Sequence, residues 1–171
     1  MVDLTASTQS DLAELVNSSV AKSGEVIAAE YQSAGRGRLD RSFEAPPESA
    51  LLFSFFLKPK RIRKDWSFIS LLAAIAMHEV VSRHVKDKVL LKWPNDILID
   101  DKKVAGLLAQ QIGDGVIVGI GLNVAMGAEE LPVPTATSLA LAGSNNLDRN
   151  LLLSDLLNRL ESIFKEWDSG S

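Results

Sequence analysis

Four short apolar segments, Val89 to Lys92, Ile97 to Asp100, Val104 to Gln110 and Val116 to Val124, follow one another with only brief polar connections between them. A parallel crossover needs about a dozen residues or more, so strands joined this closely must pair antiparallel, as a meander. Asp100-Asp101-Lys102 and Gly113-Asp114-Gly115 supply two of the turns. Upstream, Ala50 to Leu57 (ALLFSFFL) is a further strand, stopped by Lys58-Pro59, and Glu25 to Tyr31 reads as a mostly buried one. Between the strands at 50–57 and 89–92, Trp66 to Val85 carries Phe68, Ile69, Leu72, Ile75, Ala76, Val80 and Val81 on a helical period and predicts the main core helix.

Thr8 and Asp11 have the spacing of a capping box, followed by Leu12, Leu15 and Val16, which predicts a short first helix ended by Gly24. Asp148 caps a final helix whose stripe is Leu152, Leu153, Leu156, Leu160, Ile163, Phe164 and Trp167. The class expected is α+β. With 171 residues and 46% apolar content, the chain suffices for one domain with a substantial core.

Several functions are disfavoured by composition. Eighteen basic and 22 acidic residues give a net charge of −4, so no overall basic field draws the chain to nucleic acid or anionic lipid, and any anion must be held by a local cluster. With no cysteine there is no disulfide, thiolate ligand or cysteine nucleophile, which suits a reducing cytoplasm. His78 and His84 fall on the core helix and are read as structural, and no other grouping has metal-ligand spacing, so no dedicated metal site is expected. A basic-then-apolar leader and an apolar run of roughly 20 residues are both missing, and neither a signal peptide nor membrane insertion is expected.

Two polar segments interrupt this frame. Gln32 to Ser49 is rich in Gly, Arg, Pro and Ser and is read as a long exposed loop; Arg36, Arg38 and Arg41 with Gly35 and Gly37 suit a polyanion, through bidentate guanidinium groups and close backbone N–H approach. It is neither a P-loop, lacking Gly-Lys-Ser/Thr, nor a dinucleotide fingerprint, since Asp40 stands where the third glycine belongs. Taken alone, a solvated basic loop explains it about equally well. Lys92-Trp93-Pro94-Asn95-Asp96 joins two strands; Asp96 near a lysine can hold a charged partner or orient a nucleophile, while a tight turn with Asn95 and Asp96 bonding backbone is the plain alternative. Gly106, Gly119 and Gly121 lie inside strand patterns, where glycine marks a close approach or a crowded bulge.

In order, Ser7-Thr8-Gln9, Gly35 to Arg41 (GRGR with a further Arg), KWPND at 92–96, KVAG at 103–106 and VGIGLNV at 118–124 closely resemble the catalytic domain of biotin protein ligases, over about residues 3 to 167. The resemblance implies a mixed, largely antiparallel sheet flanked by helices, related to class II aminoacyl-tRNA synthetases and lipoate ligases. It implies a reaction in which ATP activates biotin to biotinyl-5′-AMP, helped by Mg²⁺, and the biotinyl group passes to a lysine of a biotin carboxyl carrier protein. Ser7, Thr8, Gln32, Gly35, Arg36 and Gly106 match the biotin pocket, and Arg38 and Lys103 the residues at the biotin carboxylate and α-phosphate. Arg36, Arg38, Arg41, Lys92, Trp93 and Asn123 match positions around the adenylate, and Asp96 the acidic residue beside the reacting centre. Arg38, Lys103 and Asp96 are thus the expected catalytic set. Asp40 stands where the family commonly has Gly, Phe43 where it has Trp, and Gln9 where it has Asn. One catalytic domain over 1–171 is expected, with neither an N-terminal winged helix nor a C-terminal β-barrel, and so without repression through DNA. A homodimer formed by extending the sheet is one arrangement the family uses. The alternatives are a lipoate ligase on the same fold and a biotin-binding module without turnover.

Overall fold

The computed structural model describes residues 1–37, 39 and 41–170. Seven strands form one sheet: β1 (Val2–Thr5), β2 (Val26–Gln32), β3 (Ala50–Leu57), β4 (Val89–Lys92), β5 (Asp96–Ile99), β6 (Lys102–Ile112) and β7 (Gly115–Asn123), in the order β1-β2-β3-β7-β6-β5-β4. Three helices accompany them, α1 (Thr8–Asn17), α2 (Phe68–His84) and α3 (Arg149–Ser169). The short connections act as expected: β4 to β7 are an antiparallel meander, and β7 pairs antiparallel with β3. The class is α+β. Strand β1 was not foreseen; its four residues pair parallel with β2, through Val2 opposite Ala29 and Thr5 opposite Gln32.

Strict alternation gives the sheet two different faces. Leu51, Phe53 and Phe55 of β3 and Val116, Val118, Ile120 and Leu122 of β7 all turn to one side and join α2 and α3 in the main core. Helix α2 is apolar nearly all round because it lies between the sheet and α3. Ala76, Met77, Val80 and Val81 have no exposed surface. Its extension Arg63–His84 is long and apolar enough to cross a membrane, but those side chains are spent on this packing. Leu152, Leu156, Leu160 and Ile163 form the matching stripe of α3. Asp148 caps α3 by accepting from the Asn150 and Leu151 amides at 2.8 and 3.2 Å, as its sequence predicts. Arg159 of α3 grips both carboxylate oxygens of Glu79 on α2, one at 3.0 Å, and holds that carboxyl below the usual range.

On the other face α1 covers only part of the sheet, packing Leu12, Leu15 and Val16 against Phe56, Ile117, Ile27 and Ile112. The predicted capping box at Thr8 is not the one used. Ser7 is the N-cap, accepting from the Ser10 amide at 3.4 Å, and the Asp11 carboxylate instead accepts from the Thr5 hydroxyl at 2.6 Å. Thr8 is thereby the first helical residue, and its amide and hydroxyl are free to serve the cavity beside the helix.

Candidate active site

The part of this face that α1 leaves bare is a cavity of about 330 Å³, the lower end of the range for small-molecule sites. Its floor is a patch of missing side chains. Ser54 of β3 lies opposite Gly119 of β7, and Gly121 lies opposite Gly106 of β6. Leu52, Ser54 and Phe56 share this face, so one hydroxyl and three glycines hollow out the centre of the sheet. These glycines are needed for contact with what lies above. A Cβ on Gly119 would stand 2.2 Å from Gln9 Oε1, and one on Gly121 would strike the Phe43 ring at 2.6 Å.

At one end the polar groups are interlocked. Gln32 Oε1 accepts from the Thr8 amide at 2.8 Å, one of the helix's unsatisfied N–H groups, and from the Thr8 hydroxyl at 3.0 Å. That spends the hydroxyl's only hydrogen, so the 2.8 Å contact between Thr8 Oγ1 and Ser54 Oγ is donated by Ser54. Ser7, Thr8, Gln9 and Ser54 are all buried. Ser54 was missed in the sequence; the signal available was that it is the only polar residue of β3.

At the other end the lining is basic: Arg36, Arg41, Lys92 and Lys103 are its cations and Asp96 is its one carboxylate among the described residues. Lys103 Nζ pairs with Asp96 Oδ1 at 2.9 Å. A β-bulge makes this pairing possible. Lys103 and Gly106 are three apart and would face opposite sides of a regular strand, but the register shifts: Ala105 faces Ile97 and Lys103 faces Leu98, leaving Val104 as the extra residue. Val104 and Ala105 are both fully buried, and Lys103 returns to the cavity side. Its ammonium then lies close over Gly106, where a Cβ would be 3.1 Å from Nζ.

The loop expected between Gln32 and Ser49 is less irregular than its composition suggests. Arg36 bridges Ser42, the Gly37 amide donates to the Arg41 carbonyl at 2.7 Å, and the Phe43 amide donates to the Gly35 carbonyl at 3.0 Å, so the segment begins as a narrow hairpin. Phe43 anchors it, packing with Ala45, Ala50, Leu52 and Met126. Gly35 is bare because the Phe43 carbonyl crosses it, 2.3 Å from where a Cβ would be. Arg38 and Asp40 lie outside the described residues.

Of the residues the sequence singled out, the cavity brings together Ser7, Thr8, Gln32, Arg36, Arg41, Lys92, Asp96, Lys103 and Gly106. Gly35 supports the hairpin from behind. Trp93, joined to Pro94 by a cis peptide, is 79% exposed and outside the lining. Asn123 is also outside it, buried, donating to the Thr137 carbonyl at 3.0 Å with its Oδ1 unpartnered among the described residues. Asn95 donates to the Leu107 carbonyl at 2.7 Å and ties the β4–β5 turn to β6. No group of three or more His, Cys, Asp or Glu able to hold a metal ion occurs among the described residues.

A model of the biotin/lipoate A/B protein ligase family matches residues 1–126. The biotin--[acetyl-CoA-carboxylase] ligase of Mycobacterium tuberculosis is 36% identical over 175 residues, covering all of this chain and 65% of that protein. The bifunctional ligase/repressor BirA of Escherichia coli is 37% identical over 150 residues, 84% of this chain and 47% of that one. This chain therefore spans about half to two thirds of the length of these curated relatives. Among solved structures, biotin protein ligase from Aquifex aeolicus in complex with biotin and ATP superposes with a TM-score of 0.84 at 32% identity, covering 99% of this chain and 71% of that one.

Proposed function

Since the chain belongs to the biotin/lipoate A/B protein ligase family, we propose that it activates biotin with ATP and transfers the biotinyl group to a lysine of a biotin carboxyl carrier protein. The observation that carries this reading is the polarity of the cavity: neutral hydrogen-bonding groups at one end, cations at the other, and a glycine floor between them. That matches a neutral urea ring joined by an apolar body to a carboxylate. The solved biotin protein ligase from Aquifex aeolicus in complex with biotin and ATP, 32% identical, adds to it.

The polar end favours biotin over lipoate. Thr8, Ser7 and Ser54 are buried and Gln32 is half-buried, all of them hydrogen-bonding, and a dithiolane ring would leave such groups without ligand partners, a mismatch that sites of this kind reject strongly. At the basic end, a biotin carboxylate oxygen attacks the α-phosphorus of ATP and pyrophosphate leaves. Two anions meet there, and Arg36, Arg41, Lys92 and Lys103, together with Arg38 by resemblance, offset their repulsion as charge develops. Mg²⁺ supplies further neutralisation of the triphosphate; with Asp96 the only lining carboxylate among the described residues, it fits as an ion carried by phosphates rather than held in a protein cage. The carrier's lysine amine then attacks the acyl carbon, AMP leaves, and Asp96 orients the amine or takes its proton. The Arg36–Ser42 hairpin sits where it can cover the reactive mixed anhydride. The use of ATP as co-substrate and the lack of cysteine fit a cytoplasmic location.

The test is formation of biotinyl-adenylate and pyrophosphate from biotin, ATP and Mg²⁺. The wild-type chain should form both with biotin and not with lipoate, and Lys103→Ala and Arg38→Ala should each lose roughly 100-fold or more in rate. Biotin binding without pyrophosphate release would leave a binding module, and turnover of lipoate would reassign the substrate.

A further inference from the structure

Asn95 ends the turn Trp93-Pro94-Asn95, whose flanking residues Lys92 and Asp96 face each other across the β4–β5 hairpin. An asparagine in a turn usually bonds the backbone of that turn. This one reaches past its hairpin to the next strand: its carbonyl accepts from the Leu107 amide at 3.0 Å, and its Nδ2 donates to the Leu107 carbonyl at 2.7 Å. One residue thus holds both backbone groups of Leu107. Successive residues of a strand turn their N–H and C=O to opposite sides, so Gly106, which faces Asp96, gives its own pair to β7 and leaves Asp96 without a rung at its own position. On the turn side, the height of Asp96 along β6 is therefore set by Asn95. That height matters, because the Asp96–Lys103 pair, 2.9 Å apart, lies over Gly106, where a Cβ would be 3.1 Å from Lys103 Nζ and 3.7 Å from Asp96 Oδ1.

We propose that Asn95 is a positioning residue for the transfer step: by clamping Leu107 it fixes where the Asp96 carboxylate stands against Lys103, and so where that carboxylate meets the amine of the acceptor lysine. The inference rests on the biotin ligase reading and on the part given there to Asp96. In the step it serves, the amine nitrogen bonds to the acyl carbon, the bond from that carbon to the phosphate oxygen breaks, AMP leaves with the electron pair, and the amine's proton passes to Asp96. Side-chain length makes the effect selective. A carboxyl on a short side chain moves wherever its strand moves, whereas Lys92 and Lys103 reach the cavity on flexible stems that take up a small shift. Loss of the clamp therefore disturbs Asp96 more than the cations that neutralise ATP.

The experiment supplies biotinyl-adenylate to the whole chain and follows a single turnover of transfer to a purified biotin carboxyl carrier protein, with pyrophosphate release from biotin and ATP measured separately. Asn95→Ala should slow transfer on the order of 100-fold and adenylate formation much less. In a chain that already carries Asp96→Asn, adding Asn95→Ala should slow transfer no further, because the group it positions is gone. Should Asn95→Ala fail to fold, Asn95→Asp, of the same shape without the donor, goes through the same cycle. Equal slowing of both steps, or the same loss with and without the Asp96 carboxylate, would make Asn95 a structural residue and overturn the proposal, as would an unchanged transfer rate. A wild-type chain that forms no adenylate, or transfers none, overturns the functional reading itself and shows this before any substitution is made.

Discussion

Replacing Gly121 by alanine should damage catalysis more than folding, because the added carbon pushes on the hairpin and not on the core. Its Cβ would lie 2.6 to 2.7 Å from three atoms of the Phe43 ring. Carbon atoms sit comfortably at about 3.5–4.0 Å, so one side must retreat by about 1 Å. Strand β7 is hydrogen-bonded on both sides, to Leu52 of β3 and Gly106 of β6 at this very position, and cannot move. The ring moves, and with it the hairpin that its amide ties to Gly35. Overpacking of this kind costs about 2 kcal/mol, or roughly 4–8 °C in melting temperature for a domain of this size. A displacement of about 1 Å in a substrate-covering element can cost on the order of 100-fold in rate. Thermal unfolding and the initial rate of pyrophosphate release measure the two effects separately. Adding Phe43→Ala removes the clash, so the double variant should be more stable than the two single losses predict, by about 1 kcal/mol or more, with no recovery of rate. A Gly121→Ala protein that melts and turns over like the wild type would refute the idea that Phe43 seats the hairpin on this glycine.

Two further outcomes follow from the hydrogen-bond inventory. Thr8→Val strands the buried Ser54 hydroxyl and withdraws one donor from Gln32, and should cost about 1–3 kcal/mol in denaturant unfolding. Because removing both partners spares the unpaired group, Thr8→Val with Ser54→Ala should be less destabilised than the sum of the single variants; strict additivity would contradict the pairing. Glu79, held below the ordinary carboxylate range chiefly by its hydrogen bond from Arg159, lends stability that is present above its unfolded-state value and is lost as pH falls through the depressed native one. Glu79→Gln should therefore melt below wild type at pH 7 and match it once the solution is acid enough to protonate the native carboxylate, whereas a gap that persists in acid would assign the effect to packing.

The meander was legible because chain length alone forbids other pairings, and β3 and β4 were read to the residue for the same reason: each is a β-rich run with a hard stop. Strand β1 was not, since Val-Asp-Leu-Thr has too little apolar content to announce itself and acquires its place from a distant partner, β2. The start of α1 was misjudged by one residue because local spacing favours Thr8 as cap, while the folded chain uses Thr8 to reach Gln32 and Ser54. Gly119 and Gly121 were read as marks of close approach, and Gln9 and Phe43 are what approaches them. What sequence periodicity could not supply was the phase of Lys103. Counting back from Gly106 by twos puts it on the wrong face, and only the bulge at Val104, hinted at by two consecutive buried apolar residues, corrects the count.

The alternation along β3 and β7 has a practical consequence for anyone wishing to change what this chain recognises. The residues that hold the domain together and those that shape the cavity alternate along the same two strands: the Phe53 and Phe55 side chains join the core with the helices, while Ser54, Gly119 and Gly121 form the cavity floor. A library confined to positions 9, 54, 106, 119 and 121 would leave the α2–α3 side of the sheet intact while resculpting the space opposite it. Changes on that face are felt by α1 and the Phe43 hairpin above the cavity rather than by the core beneath the sheet.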